Sequence, residues 1–130
     1  MGKKVLVVDD DPDVRMFSVT VFEENGYTPL EANNGEEGMN VIKQESPDLI
    51  ILDVLMPRES GIRLYRRLKT DKKLKNIPVV IQSGIAKRSF LRSQKALTEF
   101  GGAVVPEPDA YLEKPVEAED LAGAIKKFIG

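Results

Sequence analysis

Val5-Leu6-Val7-Val8-Asp9-Asp10-Asp11-Pro12 carries the fold of this chain. Four branched apolar residues in succession suit a strand covered on both faces, since a strand with one wet face would alternate. The acids end the run, and Asp11-Pro12 is a helix start signal. Two later runs are of the same kind, Asp48-Leu49-Ile50-Ile51-Leu52-Asp53 and Pro78-Val79-Val80-Ile81-Gln82. Thr28 to Ala32 is weaker, and Pro29 within it donates no ladder hydrogen bond, which places it at a sheet edge. Ala110-Tyr111-Leu112-Glu113 is a short final strand.

Helical patterns fill the intervals. Val14, Phe17, Val21 and Phe22 recur at helical spacing and stop at Asn25-Gly26. Asn33-Asn34-Gly35 precedes a second helix with Met39, Val41 and Ile42 as its apolar members. The third begins near Ile62 and carries Tyr65 and Leu68 on one face. A fourth runs from about Lys87 to Phe100, with Phe90, Leu91 and Leu97 apolar, and ends at Gly101-Gly102. The fifth spans about Glu117 to Ile129 with Leu121, Ile125 and Phe128 on one face. Strands alternating with helices imply an α/β fold, a doubly wound five-stranded parallel sheet with right-handed crossovers and helices on both faces. Residues 1–130 read as one domain with no attached output module, either standing alone or cut from a longer protein.

Composition narrows the chemistry. The 130 residues contain no cysteine and no histidine, which removes disulfides, thiolate nucleophiles, imidazole ligands and any Ser-His or Cys-His relay. Carboxylates, lysine, hydroxyls, backbone amides or a bound metal remain. A net charge of −2 argues against a dedicated nucleic-acid binder. No stretch approaches the ~18 apolar residues that would cross a bilayer, and the apolar run before Asp9 is too short for a signal peptide and has no small-residue cleavage site after it, so a cytoplasmic location is expected.

In an open parallel sheet, ligands bind at the carboxyl ends of the strands. Those ends carry Asp9-Asp10-Asp11, Asp53, Ser83-Gly84 and Glu113-Lys114-Pro115. Each feature alone has a bland reading: Asp11 as a helix cap, Asp53 as another, Lys114 as a surface lysine. Together they bring like charges to one edge, an arrangement that a cation would offset. All-oxygen ligands point to Mg²⁺ or a similar hard ion.

These motifs resemble the receiver domain of response regulators in two-component signal transduction. The first strand with its acidic pair, Asp53 followed by Met56-Pro57 and Gly61, Ser83-Gly84, and Tyr111-Leu112-Glu113-Lys114-Pro115 match that family in order and spacing. The resemblance implies the flavodoxin-like strand order 2-1-3-4-5 and assigns roles by position. Asp53 would be the phosphoacceptor nucleophile, with Lys114 and Ser83 contacting the phosphoryl oxygens. Mg²⁺ would be held by Asp10, Asp53 and the backbone carbonyl of Leu55, with Asp9 acting through metal-bound water. Ser83 and Tyr111 would form the switch, read out on the fourth helix, fifth strand and fifth helix. A cis peptide at Lys114-Pro115 is implied as well. The phosphoryl donor would be a sensor histidine kinase or histidine phosphotransfer protein, with a downstream effector as partner, and a phosphorylation-dependent dimer is compatible. Such a domain is not an enzyme acting on a separate substrate.

The sequence departs from the family pattern at Leu55 and Ile85, apolar residues that flank the phosphoryl group and cannot orient an attacking water. Slow autodephosphorylation is therefore expected. Val104-Val105-Pro106-Glu107-Pro108 reads as an insertion beside the output surface, with a rigid surface loop as its simplest account. Arg63, Arg66, Arg67, Lys69, Lys72, Lys73 and Lys75 read as a solvated face, or else as a docking patch for an acidic partner.

Three other readings compete. A small haloacid-dehalogenase-type phosphatase would carry its phosphate on Asp9. A flavodoxin-like FMN protein would need a first loop rich in Ser, Thr and Gly, where this chain has three acids. A receiver without phosphorylation would not need every acid, the hydroxyl and the lysine.

Overall fold

The computed structural model describes residues 2–99 and 101–130. Its elements run β1 (Lys4–Val8), α1 (Pro12–Glu24), β2 (Thr28–Ala32), α2 (Gly35–Glu45), β3 (Leu49–Leu52), a 3₁₀ turn (Pro57–Glu59), α3 (Ser60–Thr70), β4 (Val79–Ser83), α4 (Lys87–Glu99), β5 (Ala110–Glu113) and α5 (Ala118–Ile129). All strand pairs are parallel and the order is β2-β1-β3-β4-β5, as expected. Pro29 lies on the β2 edge strand, where its missing N–H is not needed.

Consecutive apolar residues in β1, β3 and β4 feed two cores. Leu6, Val8, Ile50, Leu52 and Ile81 face α2, α3 and α4 through Met39, Ile42, Leu64, Leu68 and Phe90. Val5, Val7, Leu49, Ile51 and Val80 face α1 and α5 through Val21, Phe22, Leu121 and Ile125. Two covered faces force the unbroken apolar runs seen in the sequence. They also hold the strand ends rigidly enough to position side chains beyond them.

Several local expectations change. Helix α3 starts at Ser60, two residues before Ile62, because the 3₁₀ turn redirects the chain early. Leu97 is 41% exposed, and Gln94 takes the buried place on α4. The expected helix end at Phe100 lies outside the described residues, while Gly102 donates to the Leu97 carbonyl at 2.9 Å, closing the helix. The basic run on α3 is not uniformly solvated. Arg66 donates to Gln94 Oε1 at 2.7 Å and to the Ala103 carbonyl. Lys69 donates to the Lys75 and Ile77 carbonyls and pairs with Asp109 at 3.6 Å. The 104–108 segment is tied to α3 as well, through the Tyr65 hydroxyl donating to the Pro106 carbonyl. Val104 remains 82% exposed.

Candidate functional site

Strand register decides which side chains meet. Val8 is level with Leu52, so Asp9 and Asp53 leave the sheet side by side. Ile81 is level with Leu52, and Ser83 with Glu113, which sets Ser83 and Lys114 on the far side of Asp53. Asp9, Asp53 and Ser83 are buried although polar, at 1%, 4% and 0% exposure.

Their polar atoms are paired with one another. Lys114 Nζ donates to Asp9 Oδ2 at 2.9 Å and to Asp53 Oδ2 at 3.1 Å. Ser83 Oγ donates to Asp53 Oδ1 at 2.7 Å, and the Leu55 N–H donates to the same oxygen at 2.8 Å. Asp9 Oδ1 accepts from the Asp11 N–H at 2.9 Å. Asp10 is exposed, yet one carboxylate oxygen each from Asp9, Asp10 and Asp53 lie within 4.8 Å of one another. Three carboxylates face one ammonium, so the cluster carries excess negative charge. Its all-oxygen donor set fits a hard divalent cation.

The electrostatics agree with that imbalance. Burial, reinforced by the nearby Asp53 charge, raises the Asp9 pKa above the ordinary carboxylate range despite its bond to Lys114. Burial works against the Lys114 ammonium, but its bond to Asp9 and the Asp53 charge prevail, so its pKa is raised.

Other expectations sort themselves in the same geometry. Asp11 caps α1, its side chain accepting from the Asp13 N–H. The Leu55 side chain is 61% exposed, and Ile85 is half-buried. Tyr111 is half-buried beside Phe90, with ring centroids 5.8 Å apart. Its hydroxyl does not reach out to water but donates to the Ile85 carbonyl at 2.7 Å. Burial first, and then the Glu113 and Asp53 charges, push its pKa up to about 12. The Lys114-Pro115 peptide is cis.

Two contributors were not read from the sequence. Arg15 donates to the Asp9 carbonyl at 2.7 Å while its Nε lies 3.3 Å from Glu31, and only the β1–β2 pairing brings those groups together. Gly61 is the other. A Cβ there would stand 2.1 Å from the Asp53 carbonyl oxygen, so only glycine lets α3 start against the end of β3. Gly61 belongs to the motif that follows Asp53, but its role as a contact surface needs the fold.

Known proteins place the chain among signalling domains. The sporulation initiation phosphotransferase F of Bacillus subtilis is 30% identical over 129 residues, covering 99% of this chain and 95% of that protein. The phosphate regulon transcriptional regulatory protein PhoB of Escherichia coli is 32% identical over 126 residues, and there the match spans 51% of the relative's length. Among solved structures, the chemotaxis response regulator CheY4 of Vibrio cholerae shares the fold with a TM-score of 0.81 at 23% identity, covering 99% of this chain and 100% of that one. The receiver domain of the Francisella response regulator 1452 gives a TM-score of 0.77 at 31% identity, covering 98% and 96%. The family model for the response regulator receiver domain matches residues 5–126, and this chain belongs to that family.

Proposed function

We propose that this receiver domain takes a phosphoryl group onto Asp53 from a phosphohistidine donor and passes the change to a partner. One observation carries the proposal: the Asp53 carboxylate is buried at a strand end and held by Lys114, Ser83 and the Leu55 N–H at once. An aspartate held only as a helix cap would not need a lysine and a serine from two other strands.

An Asp53 oxygen attacks phosphorus, the new O–P bond forms, and the P–N bond to the donor imidazole breaks with its electron pair leaving on nitrogen. Lys114, already 3.1 Å from Asp53 Oδ2, offers a compact positive charge to a phosphoryl oxygen. The Ser83 hydroxyl exchanges its bond to Asp53 for one to another phosphoryl oxygen. Mg²⁺, which Asp10, Asp53 and the Leu55 carbonyl would hold directly and Asp9 through water, would supply the charge neutralisation that two approaching anions require. This chain has no histidine, so the imidazole of the reaction belongs to the donor, a sensor kinase or phosphotransfer protein.

Output follows from what surrounds Ser83. Movement of Ser83 and of the Ser83–Ile85 backbone is felt by Tyr111 through the Ile85 carbonyl, and Tyr111 lies on β5, packed on the α4 side against Phe90. The α4-β5-α5 surface is therefore the proposed reading surface for an effector or for a second phosphorylated copy. No helix among the described residues is long and apolar enough to cross a membrane, which is compatible with cytoplasmic partners.

Acetyl phosphate with Mg²⁺, followed by intact-mass analysis and mapping of the modified peptide, tests the proposal. Wild type should gain one phosphoryl group on Asp53, and Asp53→Ala should gain none. Phosphate on Asp9 would favour the phosphatase reading, and no phosphate on wild type would remove the proposal's main support.

A further inference from the structure

The seven described arginines divide into three sorts, of which Arg88 and Arg92 lie apart on α4. Arg15 and Arg66 are engaged within the molecule. Arg58, Arg63 and Arg67 are exposed and form no ion pair among the described residues, yet all three line one cleft of about 500 Å³. The cleft lies between the N-terminal ends of α2 and α3.

Four further observations converge there. Ser60 lines the cleft, and its hydroxyl, enclosed behind the wall, has no hydrogen-bond partner among the described residues. Among the described residues helix α3 has no side-chain cap, since its cap residue Glu59 makes no such bond. Arg58 and Glu59 both take positive φ, 58° and 56°, a conformation that costs non-glycine residues about 1 kcal/mol or more. The two helix ends are also pressed together, since a Cβ on Gly35 would stand 2.3 Å from the Ser60 carbonyl oxygen.

We infer that this cleft binds a small phosphate-bearing ligand of nucleotide size. Guanidiniums pair with phosphate oxygens in two-pronged fashion, and the uncapped end of α3 favours an anion, whereas the α2 end is already capped by Asn34. A cleft of this volume lies within the ~300–1,000 Å³ range of small-molecule sites. Met56 and Leu64, both buried, back the cleft with apolar side chains, while the exposed Glu36 on the α2 side can accept hydrogen bonds from a base. Phosphates at the arginine wall and a base at the α2 wall match a nucleoside phosphate better than a bare inorganic ion. Asp10 closes one end, so an occupant would abut the proposed phosphorylation site and could report a metabolite state to it.

Calorimetric titration of the full chain with ATP, in EDTA so that the acidic cluster holds no cation, tests this without requiring phosphoryl transfer. Binding and Asp53 phosphorylation can therefore fail separately. Wild type should bind below millimolar concentration, and the Arg63→Gln/Arg67→Gln double variant should bind about ten-fold more weakly or worse. Arg58→Gln should also weaken binding, which keeps the test alive if the double variant does not fold. An Arg88→Gln/Arg92→Gln variant, with the same charge change on α4, should bind as wild type does. Tripolyphosphate should bind more weakly than ATP. No heat at millimolar ATP, equal losses in both double variants, or equal affinity for tripolyphosphate would each overturn the inference.

Discussion

Asp9 is the residue at which burial and pairing oppose each other most directly. Its carboxylate is 2.9 Å from the Lys114 ammonium, yet its pKa is raised, so burial and the neighbouring Asp53 charge outweigh the pairing. A carboxyl whose folded pKa exceeds its unfolded one gives stability that is present below the unfolded value and lost as pH rises through the folded value. Above its folded value the ionised group is therefore a net cost to the metal-free fold. Asp9→Asn keeps the shape and removes the charge, so it should raise the Tm in EDTA by a few degrees. A lower Tm would mean that the Lys114 pair prevails after all. Leu55 and Ile85 lead to a kinetic prediction at the same scale. Neither can hold a water in line with an Asp53 phosphate, so the phosphorylated state should decay slowly, with a half-life well beyond seconds. Leu55→Asn, on the exposed side chain, should shorten it by roughly ten-fold, a modest share of what positioned polar groups contribute. A half-life of seconds in the wild type would sink the argument.

At the scale of elements, the β3–α3 turn holds the clearest conflict between sequence and backbone. Arg58 and Glu59 occupy a left-handed conformation that glycine adopts freely, while Gly61 occupies a place that only glycine fits. Opposite substitutions should therefore have opposite signs. Arg58→Gly should stabilise the protein by about 1 kcal/mol in urea unfolding, less the entropy that a glycine adds to the unfolded chain. Gly61→Ala should destabilise it by roughly 1–3 kcal/mol, because the added methyl collides with backbone, and should slow Asp53 phosphorylation by displacing the end of β3. Neutral effects from both substitutions would be incompatible with a left-handed Arg58 and a Gly61 pressed on the Asp53 carbonyl. The turn also marks where sequence reading stopped. Strands and helices were legible because a buried apolar run and a helical stripe are local patterns, whereas Pro57-Arg58-Glu59-Ser60 contains no residue type that announces a positive φ. The inward turns of Arg66 and Lys69 were hidden for a related reason. The Ala103 carbonyl and Asp109 come from a distant segment, and no spacing rule connects them to α3.

For the whole molecule, legibility follows from topology. Asp9, Asp53, Ser83 and Lys114 could be grouped in advance because parallel strands place all their carboxyl ends at one edge. Of the arginine cleft only Arg63 and Arg67 could be grouped in advance, as members of the basic run, because Arg58 comes from a turn and the opposite wall from the end of another helix. The same packing that holds the site also links its two ends: Tyr111 packs on Phe90 at 5.8 Å, and Phe90 packs on Tyr65 at 5.6 Å. Tyr65 in turn holds the 104–108 segment through Pro106. Both phenols have raised pKa values, Tyr65 through burial and the charges of Asp109 and Glu107, and Tyr111, at about 12, through burial and the charges of Glu113 and Asp53. Above about pH 10 the unfolded chain releases these protons while the native state keeps them. The native state then binds more protons, so stability falls as pH rises from about 10 toward the folded values. Lys114, with its raised pKa, adds a loss of the same sign. Urea midpoints measured between about pH 9 and pH 11.5, across the ordinary tyrosine value, should decline steadily. Tyr65→Phe and Tyr111→Phe should each make the decline shallower, since a phenylalanine has no proton to lose, although each variant also forfeits a hydrogen bond and starts lower. A wild-type midpoint that stays level over that range, or phenylalanine variants that decline as steeply, would show that this aromatic column is not what alkali attacks.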